Sequence, residues 1–369
     1  MTPSFWHNKK VLITGHTGFK GSWISLWLQS LGADVTGYAL APPTDPSLFD
    51  IANIEDHICS IIGDIRDLPK LQSVIAEKKP EIVIHMAAQA IVRRSYHDPV
   101  ETFSSNVMGT VNVLEAIRLT DSIKVALIVT SDKCYENREW LWPYRENEPL
   151  GGHDPYSSSK ACAEIVTAAY RKSFFSATNK NDRQILLATA RAGNVIGGGD
   201  WAADRLVPDI IRAFHKAEPV IIRNPAAMRP WQHVLDPLNG YLTLIEKLWE
   251  GNAEFADAWN FGPDYYDAKS VSWIANKMVD LWGNGASWKT DDSVQPHEAH
   301  SLTLDSTKAR TLLKWTPKYG VAEALTKTVE WYKTFYDGSD GRTLKKMTLD
   351  QIEEYSINGR ISHGRTVGS

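Results

Sequence analysis

Short apolar runs alternate with segments of helical spacing through the first half of the chain. Helical patterns fill the intervals between these runs. The runs predicted to be strands are residues 11–14, 34–40, 58–62, 82–86, 125–130 and 185–190. This alternation predicts an α/β fold in which helices cover both faces of a doubly wound parallel sheet of the Rossmann type.

The alternation loosens in the second half, where glycines and prolines interrupt it, before helical spacing returns at 238–249 and 271–282. We interpret this half as a smaller, partly interleaved C-terminal domain. The last residues form a tail with one predicted helix, 349–355, and a polar end that we expect to fray. The predicted division is a first domain of 1–190 and roughly 232–268, a second domain of 191–231 and 269–345, and a tail of 346–369.

The composition excludes several classes of protein. A chain of 369 residues can form one large unit or two interdependent units. Its net charge of −4 offers no basic surface, so we expect no nucleic-acid partner. We find neither an apolar signal region nor a stretch of about 18 apolar residues that could span a membrane, and a cytoplasmic protein is expected. Cys59, Cys134 and Cys162 match neither a disulfide framework nor the spacing of zinc ligands, so no metal is expected.

Gly15, Gly18 and Gly21 follow the first predicted strand and precede a helical pattern. In a strand–turn–helix, such glycines allow a tight turn, a close approach to a pyrophosphate and close packing of helix on strand. The N–H groups at the helix start, beside Phe19 and Lys20, would then face the phosphates of a dinucleotide. The GxxGxxG spacing is less common than GxGxxG. An ordinary strand–helix turn with a solvated lysine is the alternative interpretation.

Later strand ends offer further contacts to such a cofactor. An acidic residue about 20 positions after the first glycine would bind the ribose of NAD, but residues 37–43 contain neither an acid, which favours NAD, nor an arginine, which favours NADP. This rule therefore leaves the choice between NAD and NADP open. Asp64 and Ile65 could lie near the adenine, and Ala87 and Ala88 under the nicotinamide. A turn cap and close packing are the alternatives for these positions.

Tyr156 and Lys160 lie four residues apart at the start of a predicted helix, so their polar ends can converge on one site. A lysine ammonium and a nicotinamide cation would both favour the phenolate, which predicts a tyrosine pKa lowered from about 10 towards the working pH. The tyrosine could then accept a hydroxyl proton. Such a pair alone usually means only helix packing. Its combination with a dinucleotide motif favours hydride chemistry.

Together these features resemble the extended short-chain dehydrogenase/reductase superfamily that acts on nucleotide sugars. The likeness covers nearly the whole chain and includes Asn106, which the resemblance places with the cofactor-binding residues, and Ser131. Two longer stretches, 191–201 and 228–235, are similar to the CDP-glucose 4,6-dehydratase family within it. The resemblance implies that the second domain binds the nucleotide sugar. It also implies a homodimer through helices at 100–119 and 156–171, although the apolar faces of these helices could instead be buried within one subunit.

The family chemistry oxidises the sugar at C4, eliminates water across C5 and C6, and returns the hydride to C6. Ser131 would bind the C4 oxygen. Asp132 would protonate the leaving hydroxyl, which requires a raised carboxyl pKa. Lys133 stands where dTDP-glucose dehydratases carry glutamate, and it would be either a neutral amine base or an ammonium that stabilises the enolate. Because each cycle regenerates the cofactor, we expect NAD.

The resemblance also implies residues that bind the expected substrate, CDP-glucose. Asn194 and Arg229 match the family positions at the diphosphate best, and arginine suits phosphate because its planar fork makes paired bonds. The remaining predicted substrate contacts are Gln89, Arg205, Arg223 and His300. The expected product is CDP-4-dehydro-6-deoxyglucose, a precursor of dideoxy sugars in surface polysaccharides.

Other functions stay open at this stage. They are a nucleotide-sugar 4-epimerase or reductase, a dehydratase for another nucleotide sugar, and a non-catalytic redox-sensing protein. An epimerase would not need Asp132 and Lys133, and a redox sensor would not need Tyr156 and Lys160.

Overall fold

The computed structural model describes residues 2–175, 184–291 and 301–361. The strands are β1 Lys10–Thr14, β2 Asp34–Ala39, β3 Cys59–Ile62, β4 Ile82–His85, β5 Val125–Val129, β6 Leu186–Ala192, β7 Asn194–Ile196, β8 Val220–Ile222, β9 Met228–His233, β10 Ala258–Phe261, β11 Ala268–Ser270 and β12 Trp288–Thr290. The α-helices are α1 Pro3–Trp6, α2 Phe19–Ser30, α3 Leu48–Ile51, α4 Leu68–Lys78, α5 Val92–His97, α6 Pro99–Phe103, α7 Gly109–Arg118, α8 Pro155–Tyr170, α9 Leu206–His215, α10 Leu235–Trp249, α11 Val271–Trp282, α12 Val321–Tyr336 and α13 Gly341–Ile361.

Seven of these strands form one sheet in the order β10-β6-β5-β4-β1-β2-β3, and every neighbouring pair is parallel. The predicted doubly wound parallel sheet is therefore confirmed. β1 pairs with β2 on one side and β4 on the other, so the chain reverses its direction of winding at β1. A crevice at the carboxyl ends of these two strands is where such sheets bind ligands.

Successive residues of the central strands are buried in opposite layers. Ile13 belongs to a large apolar cluster that includes Trp27, whereas Leu12 belongs to a second cluster that includes Val113 and Ile117. Both faces of the sheet are thus covered, which explains why these strands are continuous apolar runs instead of alternating ones. The seventh strand, β10, was not predicted as a strand.

The second half of the chain adds two small sheets beside the main one. β9 pairs in parallel with β7 and antiparallel with β11, and β8 pairs with β12. These small sheets lie beyond the carboxyl ends of β5 and β6. The predicted domain boundaries stay a prediction.

Helix α13 is longer than the predicted segment 349–355, running from Gly341 to Ile361. The ring of Tyr355 is fully buried and meets Trp27 of α2 edge-on, with 5.8 Å between ring centroids. Its hydroxyl donates to Asp236 Oδ1 at 2.7 Å. This part of the chain is therefore an ordered helix packed on α2 and α10, while the polar end predicted to fray lies outside the described residues.

In the part of the chain that the structure describes, no helix is long and apolar enough to cross a membrane.

Candidate functional site

The glycine motif forms the turn between β1 and α2. Gly15 has φ +80°, and a Cβ there would lie 2.7 Å from the backbone nitrogen of Ala87. A Cβ on Gly21 would overlap the carbonyl of Gly15. At Gly18 the nearest atom to an added Cβ is 3.5 Å away, and among the described residues no side chain caps the start of α2. The free N–H groups of this helix start therefore fit a pyrophosphate.

A cavity of about 1070 Å³ opens at the carboxyl edge of the main sheet and reaches the second half of the chain. It brings together nearly all residues predicted from the sequence. The predicted residues that line it are Gly15, Gly18, Phe19, Lys20, Gly21, Asp64, Ile65, Ala87, Ala88, Gln89, Ser131, Asp132, Lys133, Tyr156, Lys160, Asn194, Arg205, Arg223 and Arg229.

Two of the predicted site residues are not among those that line the cavity. Asn106 lies behind the cavity wall in a π-helical turn, where its side chain accepts from the Gln89 N–H at 2.8 Å and donates to Ser159 Oγ at 2.8 Å. We therefore interpret Asn106 as a support for the wall. His300 lies outside the described residues.

Uncharged residues line the cavity at the end of β2, where the sequence has no acid and no arginine. Leu40, Ala41 and Pro43 form this part of the wall. The Asp64 carboxylate, at the end of β3, accepts from Arg66 Nε at 2.9 Å. This hydrogen bond holds the pKa of Asp64 below its ordinary value even though burial opposes the shift.

Tyr156 and Lys160 stand on the first turns of α8, which begins with Pro155 and is capped by Asp154. Both side chains are almost fully buried, and Lys160 Nζ donates to the Val129 carbonyl at 3.4 Å. The Ser131 side chain lies close enough to the Tyr156 hydroxyl to lower its pKa. The helix and the end of β5 therefore present three predicted catalytic groups to one point of the cavity.

The pKa of Tyr156 departs from the sequence prediction. Burial raises it to about 12, and the Ser131 hydrogen bond and the Arg205 charge oppose this rise only in part. The predicted lowering is thus wrong for the protein alone, because loss of water around the phenolate outweighs the neighbouring cations. Burial lowers the pKa of Lys160 to about 8, against the nearby carboxylate of Glu164.

A short 3₁₀ turn, Asp132–Cys134, follows β5 and carries the predicted acid. Ser131 caps this turn by accepting from the Lys133 N–H at 3.2 Å and donates to Asp132 Oδ1 at 2.9 Å. Asp132 is buried, and burial raises its pKa although Lys133 and Arg229 oppose the shift. A raised carboxyl pKa is what a proton donor needs. Lys133 lines the cavity and is half-buried.

Lys20 is not a solvated lysine. Its Nζ lies 5.9 Å from the centre of the Tyr241 ring. Burial lowers its pKa to about 7, with the charges of Arg205 and Lys160 acting in the same direction. The sequence prediction of a simple phosphate contact therefore misses its closeness to the catalytic residues.

Three of the predicted substrate contacts are bonded to neighbouring residues of the protein. Arg205 donates to Asp200 Oδ2 at 2.8 Å, and Arg223 lies 3.6 Å from Asp204. Gln89 uses its side-chain amide within the wall, donating to Ile91 O and Thr102 Oγ1 at 3.0 Å each. Its side-chain oxygen accepts from the Ile91 N–H at 2.6 Å, so both ends of the amide group are used within the wall.

Sequence reasoning missed the buried Glu164 and Arg191, which form an ion pair of 2.8 Å next to the predicted catalytic residues. A signal was present, because Glu164 follows Lys160 by one helical turn and Arg191 interrupts an apolar strand. It also missed Asp200, the partner of Arg205.

Comparisons with known proteins agree with this geometry. The family model described as GDP-mannose 4,6 dehydratase matches residues 12–328. A CDP-glucose 4,6-dehydratase of Salmonella typhimurium is 57% identical over 91% of this chain and 94% of its own length. The fold is shared with an epimerase of Methanothermobacter thermautotrophicus, at a TM-score of 0.78 and 21% identity over 91% of this chain and 95% of the other. It is also shared with a dTDP-glucose 4,6-dehydratase of Bacillus anthracis in complex with NAD, at a TM-score of 0.73 and 23% identity over 88% and 97%.

Proposed function

Since this chain belongs to the GDP-mannose 4,6 dehydratase family, we propose that it converts CDP-glucose to CDP-4-dehydro-6-deoxyglucose with NAD as its bound cofactor. The family relationship confirms the resemblance read from the sequence. The proposal is carried by one observation: a tyrosine–lysine pair and a buried acid with a raised pKa face the same cavity. The identity of 57% to a CDP-glucose 4,6-dehydratase supports this choice of nucleotide.

The glycine turn and the free N–H groups of α2 would hold the pyrophosphate of NAD, with Ala87 and Ala88 beneath the nicotinamide. When bound, NAD supplies the hydride acceptor for C4 and the hydride donor for C6. The uncharged wall of Leu40, Ala41 and Pro43 supports NAD over NADP, because it offers no cation to a 2′-phosphate.

In the oxidation step, Tyr156 accepts the proton of the C4 hydroxyl while Ser131 binds the same oxygen. The buried phenol must first become a phenolate, which the Arg205 charge favours and which the Lys160 ammonium would stabilise further. Lys160 is held towards the end of β5 by its bond to Val129. Its position one turn below Tyr156 keeps both groups on the buried face of α8.

In the elimination step, the C5 proton has become acidic beside the new carbonyl. Burial raises the pKa of the Asp132 carboxyl, and Asp132 is proposed to give a proton to the departing C6 hydroxyl. Lys133 is proposed to take the C5 proton. If Lys133 instead stabilises the enolate as an ammonium, a Lys133→Glu variant would lose elimination, whereas an equally active variant would support a generic base.

The direct test is to incubate the purified protein with CDP-glucose and then to measure the absorbance that 4-keto sugars show in alkali. Formation of the 4-keto product with CDP-glucose in preference to dTDP-glucose or UDP-glucose supports the proposal. Conversion of UDP-galactose to UDP-glucose without any 4-keto sugar would establish the epimerase alternative instead.

A variant separates the two chemical steps. Asp132→Asn should still oxidise the sugar but eliminate water slowly, so reduced cofactor should accumulate on mixing with substrate. Asp350→Asn, on the exposed face of α13, is the matched control and should behave like the parent. Product formation by Asp132→Asn at the parent rate would mean that the acid lies elsewhere.

We further propose a homodimer through α8 and the helix formed by α6, the π-helical turn and α7. The exposed apolar side chains on these helices support it, since Val100 is 78%, Met108 53% and Ile165 55% exposed. Sedimentation should give a dimer, and Ile165→Asp should shift it to the monomer. A parent protein that sediments as a monomer would contradict this proposal.

The cytoplasmic location and the use of the product in surface polysaccharides stay predictions.

A further inference from the structure

A buried ion pair lies directly behind the catalytic residues. Arg191 Nη2 of β6 donates to Glu164 Oε2 of α8 at 2.8 Å, and each side chain is 3% exposed. Burial raises the pKa of Glu164, but the Arg191 charge and the hydrogen bonds that the carboxylate accepts hold it below its ordinary value. The pair is therefore ionised. Neither residue lines the cavity, so the pair touches neither substrate nor cofactor.

Glu164 ties the catalytic helix to the start of the catalytic turn. It is one helical turn beyond Lys160, on the buried face of α8 that also carries Tyr156. Its carboxylate accepts from Thr130 Oγ1, which immediately precedes Ser131, and from Thr189 Oγ1 at 2.8 Å. The strand end that leads into Ser131 is thus fixed to α8.

Arg191 fixes the other end of the same turn. Its Nη1 donates to the Tyr135 hydroxyl at 2.7 Å and to the Glu146 carbonyl at 3.1 Å. The Tyr135 hydroxyl in turn donates to Asn260 Oδ1 at 2.7 Å, in β10. Because Tyr135 directly follows the 3₁₀ turn, the turn is held at both ends by one charged pair.

We propose that Glu164 and Arg191 are a positioning pair that sets the catalytic turn, Ser131 to Lys133, against Tyr156 and Lys160 on α8. The inference rests on the proposed function, in which these two sets of residues act on one sugar in succession. A buried ion pair is weak support for stability, since apolar residues of similar volume often stabilise as well. Its geometric role is specific, because charge-assisted bonds fix direction as well as distance.

The pair should matter more for elimination than for oxidation. Tyr156 and Lys160 are also held by the Asp154 cap of α8 and by the bond from the Tyr156 N–H to Ser95 Oγ. Elimination uses two residues of the catalytic turn, Asp132 and Lys133, whereas oxidation uses only Ser131 of the turn, beside Tyr156 on α8. Glu164→Gln keeps the shape of the side chain but removes its charge. The catalytic turn should therefore shift, while α8 should keep its position. Misplacement by about 1 Å can slow a step by about 10²-fold.

The test is a single-turnover experiment on the NAD-loaded full chain mixed with CDP-glucose, following reduced nicotinamide and 4-keto product together. Glu164→Gln should reduce the cofactor at a rate close to that of the parent and form product about 10²-fold more slowly, so reduced cofactor should accumulate. Asp236→Asn changes another buried, hydrogen-bonded carboxyl that lies outside the cavity lining. This control should keep the parent ratio of the two rates whatever its stability.

Thr130→Val supplies a second variant should Glu164→Gln not fold. It removes only the hydroxyl that donates to Glu164, and the same accumulation of reduced cofactor is expected. Equal slowing of both steps in the folded variants would overturn the inference and leave a purely structural pair. A parent protein that forms no 4-keto sugar from CDP-glucose would overturn the proposed function itself, and this result is distinguishable because it does not depend on any variant.

Discussion

Replacement of Lys160 by methionine should stabilise the protein while abolishing its activity. Lys160 is 6% exposed, and burial lowers its pKa from 10.5 to about 8, with Glu164 opposing the shift. Burial thus disfavours the ammonium that the chemistry needs. Each pKa unit corresponds to about 1.4 kcal/mol. At neutral pH the charged lysine therefore destabilises the folded state by about 3 kcal/mol.

The sign of the pH dependence follows from proton binding. Between about pH 8 and 10.5, the unfolded chain holds more protons at Lys160 than the folded protein does, so the native state gains stability as the pH rises. Below about pH 8 the penalty is present in full. Methionine fills a similar volume without a charge. The advantage of Lys160→Met should therefore be largest at neutral pH and should shrink as the pH approaches 10.5.

Urea denaturation of the nucleotide-free proteins, followed by tryptophan fluorescence at neutral and alkaline pH, measures this difference. Lys346→Met, at a side chain that is 77% exposed, is the control and should change the free energy of unfolding by less than about 0.5 kcal/mol. The reasoning is refuted if Lys160→Met is no more stable than the parent at neutral pH, or if its advantage does not depend on pH.

Three further substitutions have expected outcomes. Tyr156→Phe should lower turnover by at least about 10²-fold while NAD stays bound, and normal turnover in a steady-state assay would exclude the phenol as the base. Gly21→Ala places a methyl group on the Gly15 carbonyl, so the affinity for NAD, measured by fluorescence titration, should fall at least about tenfold. Gly320→Ala is the control and should leave this affinity unchanged, because the nearest atom is 3.6 Å from an added Cβ. Tyr355→Phe removes the bond to Asp236 and should reduce the free energy of unfolding by about 1–2 kcal/mol; an unchanged urea midpoint would show that this bond contributes nothing.

The main sheet was predictable because strands that are buried on both faces consist of continuous apolar runs, and such runs can be recognised in the sequence. The glycine turn was predictable for a related reason, since Gly15 and Gly21 stand where a Cβ has no room. β10 was missed because it has only four residues and one of them, Asn260, is polar. The extent of α13 was missed because its few buried residues, among them Leu344 and Tyr355, are diluted by a polar surface.

The electrostatics of the site could not be read from the sequence. The Tyr156 pKa depends on how completely water is excluded around the hydroxyl, which a helical spacing does not report. Lys20 has the sequence context of a surface lysine in a first helical turn, yet the fold brings Arg205 and Lys160 to it from distant parts of the chain. Charges that meet only through tertiary structure leave no local pattern.

The docking of α13 on α2 joins two helices that are more than 300 residues apart in the chain. Trp27 lies on the same helix whose start forms the glycine turn, and Tyr355 covers it. The final packing of α2 is therefore complete only after α13 has been synthesised. Chains that stop before α13 should leave this face of α2 uncovered, so they should be less stable and more prone to aggregate than chains that contain it.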